Sequence, residues 1–311
     1  CLVLCWGWLG VTGYGEALAF SMCLGVAGAS FAVALPIASR AYPPSAHGLV
    51  LGLAASGNVG TVLIFFLAPR WAAAMDWHQI CGLMACVVAM TTVGFVIAVP
   101  RSRPVADTRV VAWWYHAVQL IHRRLAYWLS FLYAVTFGGF VGLCSVLPLV
   151  LHDVYRIDAI EAGAVAALCG LMGSVIRPVG GYVADRQGGL QTLYYVLPVI
   201  AGAVVAVISP SQTMAVVMMV VATAAMGFGN GVVFQLVAEW FPKDIGLASG
   251  VVGASGAIGG FLLPLLIGTM KGFSGSYESG LWLFAGFTVC AWGTVIAVLR
   301  ANRSSSVELS S

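Results

Sequence analysis

QGGLQTLYYVLPVIAGAVVAVISPSQTMAVVMMVVATAAMGFGNGVVFQLVA, residues 187–238, contains no Asp, Glu, Lys or Arg. A helix crossing a bilayer needs about 20 apolar residues, so this run is long enough for two crossings. It also shows where they divide, at Ser209-Pro210-Ser211-Gln212, since Pro among small polar residues marks a turn. Charge-free runs of the same kind cover 1–15, 17–39, 41–69, 77–100, 125–152, 245–270 and 279–299. The stretch 162–184 is interrupted by Arg177 alone. Ten spans follow, the first of them short. A β-barrel would require short segments alternating polar with apolar residues, and these runs do not alternate.

The composition agrees. The 311 residues are 61% hydrophobic and 8% charged. Water-soluble domains carry about 25% charged residues, and so few charges cannot cover a soluble surface of this size. A net charge of +3 provides no dense basic face for nucleic acid. The eight Cys fall in apolar stretches with no CxxC pair, and the five His show no ligand spacing. Neither a disulfide framework, a metal site nor a cofactor is expected.

Orientation follows from the basic residues. With 101–124 placed in the cytoplasm, Arg101, Arg103, Arg109, Arg123 and Arg124 lie there, joined by Arg40, Arg186, Lys243, Arg300 and Arg303. Only Arg70, Arg156 and Lys271 fall on the other side. That asymmetry places the linker and the polar tail 304–311 inside. It divides the chain into a half-bundle over 1–100, a basic linker over 101–124 and a six-helix half-bundle over 125–303.

The two halves echo one another. Gly28-Ala-Ser-Phe31 leads through Tyr42-Pro43 to Gly48-x-x-x-Gly52, and Gly227-Phe-Gly229-Asn230 leads through Phe241-Pro242 to Gly246-x-x-x-Gly250. Membrane transporters are commonly built from such repeats. Six spans follow the linker but four precede it, so two N-terminal helices are expected to be missing. The opening Cys1-Leu-Val-Leu-Cys5-Trp-Gly-Trp8, without Met or a basic segment, fits that expectation.

These features resemble the major facilitator superfamily, all-α membrane proteins of 6+6 helices. Gly181-Tyr-Val-Ala-Asp185-Arg186-Gln-Gly188-Gly189 is similar to the second copy of its cytoplasmic loop motif. Within the superfamily the chain resembles the nitrate/nitrite porters. Gly48 to Gly60, with Gly57-Asn58-Val-Gly60, resembles the first of their two Gly-rich signatures, and Gly250-Val-Val-Gly253-Ala-Ser-Gly256-Ala-Ile-Gly259-Gly260 the second. Tyr133-Ala-Val-Thr-Phe137 resembles their aromatic substrate-site helix. Gly28-Ala-Ser-Phe31 resembles another pocket segment, with Ser30 where an Asn is common. The resemblance implies a secondary transporter of nitrate or nitrite, working as a monomer by alternating access in the cytoplasmic membrane. In that family a second Arg on the second helix completes the site, and that helix is expected to be one of the two missing.

Arg177 is the one charge well inside a span. It lies eight residues before Asp185, roughly 12 Å along the helix at about 1.5 Å per residue. Intramembrane charges usually mark a pathway, against the plainer reading of a side chain reaching up to the interface. A planar guanidinium suits a planar oxyanion better than an ammonium does. Tyr133 and Phe137 share a helical face, which by spacing alone indicates packing; the resemblance instead makes them, with Phe31, a clamp for a flat anion. Asn58 is expected beside the pocket, while Asn230 is as readily an inter-helix hydrogen-bonding group. Gly250, Gly253, Gly256 and Gly259 form a small-residue face for close helix approach. Asp185 and Arg186 are expected to relay charge or to cap a helix, away from substrate.

Other functions fit less well. A cation carrier would need an intramembrane carboxylate, and a membrane-embedded enzyme a His/Asp/Glu cluster; neither is present in the predicted spans. A porter of another small anion, or a non-transporting sensor, remains the alternative.

Overall fold

The computed structural model describes residues 1–26, 42–98, 123–209, 211–242 and 244–308. Their regular structure is helical throughout, without strands among the described residues. The helices are α1 (Leu2–Gly10), α2 (Tyr14–Gly25), α3 (His47–Ala55), α4 (Val59–Ala72), α5 (Trp77–Ala98), α6 (Arg124–Tyr133), α7 (Gly139–Tyr155), α8 (Ala159–Val175), α9 (Arg177–Gln187), α10 (Gly189–Ala206), α11 (Gln212–Trp240), α12 (Ile245–Ser274) and α13 (Glu278–Glu308).

Eight helical segments among the described residues are long and apolar enough to cross a membrane, beginning at His47, Trp77, Arg124, Ala159, Gly189, Gln212, Ile245 and Glu278. Ten were expected from the charge-free runs. The difference lies in 1–15 and 17–39. There α1 and α2 have nine and twelve residues, and the second run continues into residues outside those described. The turn expected at Ser209–Gln212 does separate α10 from α11.

Apolar side chains form both the core and much of the outer surface. Large apolar side chains such as Phe95, Phe261 and Phe273 are exposed, as hydrocarbon-facing residues should be. The interior meanwhile holds Thr136, Ser174, Arg177, Asn230 and Ser249.

The chain forms two compact units. The first comprises Cys1–Ser30 and Leu67–Gln119. In it α1 packs on α2 and α5. The Phe20 ring fills the space beside Gly7, where a Cβ would lie 2.7 Å from it, and the Trp8 ring likewise sits against Gly82. Glu16 accepts from the Thr12 amide at 2.9 Å at the start of α2. The His78 ring bridges the Asp76 carboxylate at 2.6 Å and the Val11 carbonyl at 3.1 Å.

The second unit comprises Phe31–Phe66 and Leu120–Ser311. Its centre is α11, packed by α8, α9, α10 and α3. Glycines set how closely these helices approach. A Cβ on Gly227 would lie 1.9 Å from the Gly173 carbonyl oxygen, and one on Gly231 would lie 2.1 Å from that of Arg177. On the other side of α9, a Cβ on Gly181 would lie 2.0 Å from the Gly48 carbonyl oxygen. Thus α9 is held between α3 and α11 by backbone-to-backbone contact.

Two irregularities shape this unit. Between Val175 and Arg177 the α8–α9 span breaks, because Pro178 supplies no amide to continue the ladder. Between α6 and α7, Ala134–Gly138 form one π-helical turn, a feature frequent at functional sites.

Candidate substrate site

Arg177 opens α9 immediately after the break, and its side chain is only 1% exposed. The guanidinium donates from Nη1 to the Ala55 carbonyl at 2.9 Å and from Nη2 to the Tyr133 hydroxyl at 3.0 Å. Its Cζ stands 5.1 Å from the centre of the Phe137 ring. Nε has no partner. Among the described residues no carboxylate pairs with Arg177. The reading of a surface-reaching side chain is thereby excluded: the head is anchored inside.

Each partner is positioned by a local feature. Helix α3 stops at Ala55, where the chain tightens into the turn Ser56–Asn58, so this carbonyl is among those a helix leaves without an i+4 partner. Gly52, one turn earlier, lies against the start of α9: a Cβ there would be 2.9 Å from Pro178 Cα and 3.0 Å from the Arg177 carbonyl oxygen. The Ser56 hydroxyl is 3.0 Å from both the Gly52 and Ser174 carbonyl oxygens, joining the end of α3 to the end of α8.

Tyr133 immediately precedes the π turn and Phe137 lies within it. With more residues per turn than an α-helix, that turn brings positions four apart almost into line. Their rings stack at 5.0 Å with an interplanar angle of 5°. The structure therefore brings Arg177, Tyr133 and Phe137 together, with the two rings stacked on one another. Gly256 of α12 makes room for them, since a Cβ there would lie 2.5 Å from the Tyr133 ring and 2.8 Å from Phe137. Gly259 meets the Ala134 backbone in the same way, at 2.6 Å from its carbonyl oxygen. Gly250 and Gly253 are half-buried on the same helix.

The remaining expected residues divide. Asn230 is fully buried. Asp185 is a helix cap: its carboxylate accepts from the Gly48 and Leu49 amides at 3.0 Å each, at the N-terminus of α3. A negative group there also opposes the positive end of the helix dipole. Arg186 turns away and stacks on Tyr182, Cζ 4.4 Å from the ring centre. Gly57 and Gly60 face space in which a Cβ would meet nothing described within 4 Å. Phe31 lies outside the described residues, as does the side chain of Asn58.

Several features escape sequence reading. Phe234 packs edge-on against Tyr133 at 4.9 Å. At the far end of the unit, the Tyr277 hydroxyl donates to Asp153 at 2.7 Å, and Lys271 donates to both. Burial pushes the Tyr277 phenol up. Pro178 beside Arg177 was the available signal for the broken helix; the other contacts join residues far apart in sequence.

A buried cation in an aromatic frame, without a carboxylate partner among the described residues, has the chemistry to bind an anion. The family model of the Major Facilitator Superfamily matches residues 1–237. This chain belongs to the major facilitator superfamily.

Among curated superfamily members, it is 32% identical over 282 residues to the "Probable nitrate transporter NarT" of Staphylococcus carnosus, covering 90% of this chain and 72% of that protein. It is 32% identical over 302 residues to the "Probable nitrate/nitrite transporter NarK2" of Mycobacterium tuberculosis, covering 94% and 74%. The "Nitrite extrusion protein" of Bacillus subtilis is 28% identical, with 90% and 71% covered. Solved structures of the superfamily share the fold. The human organic anion transporter MFSD10 aligns with a TM-score of 0.68 at 16% identity, covering 94% of this chain and 75% of that one. The E. coli fucose:proton symporter aligns at 0.64 and 12% identity, covering 94% and 81%.

Proposed function

We propose that this protein is a secondary transporter carrying nitrate and/or nitrite across the cytoplasmic membrane by alternating access. The observation that carries the reading is Arg177, fully buried and held by two neutral acceptors, with Nε unpartnered. A cation so placed keeps its charge uncompensated. A small oxyanion supplies both the counter-charge and the acceptor oxygens. The relatives named for nitrate and nitrite transport support the choice of ion.

The distribution of Lys and Arg supports a cytoplasmic location for the linker 101–124 and the C-terminus, which puts the Asp185 cap at the cytoplasmic end. The division into half-bundles over 1–100 and 125–303, and a monomeric state, belong to the same proposal.

The test is nitrate and nitrite uptake by the protein, Arg177→Lys and Arg177→Ala at matched membrane insertion. Lysine keeps the charge but loses the planar fork, so uptake should fall about tenfold or more, since a hydrogen bond to a charged group contributes about 1.5–3 kcal/mol. Alanine should abolish it. Near-parental uptake in the Lys variant would contradict the role given to Arg177.

A further inference from the structure

Asn230 is fully buried on α11, and among the described residues neither Nδ2 nor Oδ1 has a hydrogen-bond partner. Its surroundings fix where that amide stands. The next residue, Gly231, lies against Arg177, as its Cβ would be 2.1 Å from the Arg177 carbonyl oxygen. One turn later, Phe234 meets the Tyr133 ring at 4.9 Å. One turn earlier, the Met226 sulfur is 3.3 Å from the place a Cβ on Gly139 would take. Residues four apart share a helical face, so Asn230 is presented to the π turn, between the levels of Tyr133 and Gly139. Phe137, which lies beneath the Arg177 guanidinium, is in that interval.

Two more buried groups with unused hydrogen-bonding capacity occur here. One is Arg177 Nε. The other is the hydroxyl of Thr136, whose methyl lies 3.0 Å from where a Cβ on Gly229 would stand. Orphaned polar groups are rare in native interiors, and a cluster of them from three different helices needs an explanation. An inter-helix bond from the Asn230 amide would supply one, but none is made among the described residues.

We propose that Asn230 is a direct hydrogen-bond ligand of the transported oxyanion, donating from Nδ2 beside the Arg177 guanidinium. The anion would then be gripped from α9 and α11 together. The two coplanar N–H bonds of a carboxamide suit a planar oxyanion, as the guanidinium does. The inference rests on the nitrate/nitrite reading and extends it to a residue of another helix.

The experiment titrates the purified protein, Asn230→Leu, Asn230→Ala and Asn230→Asp with sodium nitrate, sodium nitrite and sodium chloride, following binding by calorimetry and unfolding temperature without anion. Leucine keeps the branched four-heavy-atom outline of asparagine at larger volume, alanine adds no volume, and both remove the orphan atoms, so the anion-free unfolding temperature should be kept in at least one of the two. Nitrate or nitrite Kd should nevertheless increase at least tenfold in the Leu and Ala variants. The Asp variant, which adds a like charge, should not bind. Parental affinity in Leu, or in Ala if Leu fails to fold, overturns the assignment. Collapse of the anion-free unfolding temperature in both Leu and Ala also overturns it, since the amide would then be structural. If the parent binds neither nitrate nor nitrite, the transport reading falls and this inference with it. A loss confined to this inference appears only as unchanged binding, or as that structural collapse, in the variants of a parent that does bind.

Discussion

Gly231→Ala tests the architecture that holds Arg177 in place. The added Cβ would stand 2.1 Å from the Arg177 carbonyl oxygen and 2.7 Å from the Gly181 amide nitrogen, both backbone atoms that cannot rotate away. Ordinary contact begins near 3.4 Å, so α9 and α11 must separate by about 1 Å. The guanidinium is bonded to Ala55 and Tyr133 at 2.9 and 3.0 Å, and a displacement of that size takes either contact beyond hydrogen-bonding range. Overpacking of this kind costs about 1–3 kcal/mol. The expected result is a lower unfolding temperature and nitrate uptake reduced at least tenfold, measured in proteoliposomes at matched insertion. Gly286→Ala on α13 is the control, because its Cβ meets nothing described within 4 Å. There Ala should be neutral or better by up to about 1 kcal/mol, through helix propensity. Parental uptake and stability in Gly231→Ala would refute the backbone contact on which the site depends.

Further outcomes are expected elsewhere. Tyr133→Phe keeps the stacked ring but strips Nη2 of its acceptor, so anion affinity should fall roughly tenfold while the fold survives, as titration calorimetry would show; unchanged affinity would remove the hydroxyl from the site. Asp185→Asn weakens the cap on α3 and should lower stability by about 1–2 kcal/mol, read from unfolding in detergent. Near Asp76, the His78 ring holds the carboxyl below its ordinary value of 3.8. A depressed carboxylate contributes stability above the ordinary value and loses it as pH falls through the depressed folded value. Asp76→Asn should therefore flatten the acid side of the unfolding-temperature profile without changing it near neutrality beyond a constant offset. An acid limb identical to the parent's would show that this pair does not couple to folding.

Some of this organisation is legible in one dimension. Arg177 stands out because it interrupts a charge-free run, and Tyr133 and Phe137 because their spacing puts them on one face. The stacking of those two rings was not legible, because it depends on a π turn that residue spacing does not specify. Nor was the grip on Arg177, since Ala55 contributes a backbone carbonyl and carries no side-chain signal. The glycines fall between these cases. Gly48 and Gly52 read as half of an internal echo with Gly246 and Gly250. The structure adds what that pattern does on α3: Gly48 and Gly52 press on α9, which Gly231 of α11 meets from the other side, while Gly227 meets α8 at Gly173. The run 1–15 corresponds to a described helix of nine residues, while the run 17–39 continues past α2 into residues outside those described.

The choice of partners for Arg177 explains how a buried cation can be oriented and still be available. A carboxylate at hydrogen-bonding distance would hold the guanidinium as firmly, but it would cancel the charge and compete with an incoming anion. At about 4 Å and an effective dielectric near 20, that competing attraction would be about 4 kcal/mol. The Ala55 carbonyl and the Tyr133 hydroxyl are neutral, so they fix two nitrogens and leave the net charge intact. The phenol does something further. Its oxygen accepts from Nη2, which leaves its own O–H free to donate to a further acceptor. Such a chain of donors strengthens as each member is polarised by the one before it. On the proposed function, the site holds an anion when one is present. Without one, it retains an uncompensated charge whose desolvation cost is relieved only by the next anion to enter.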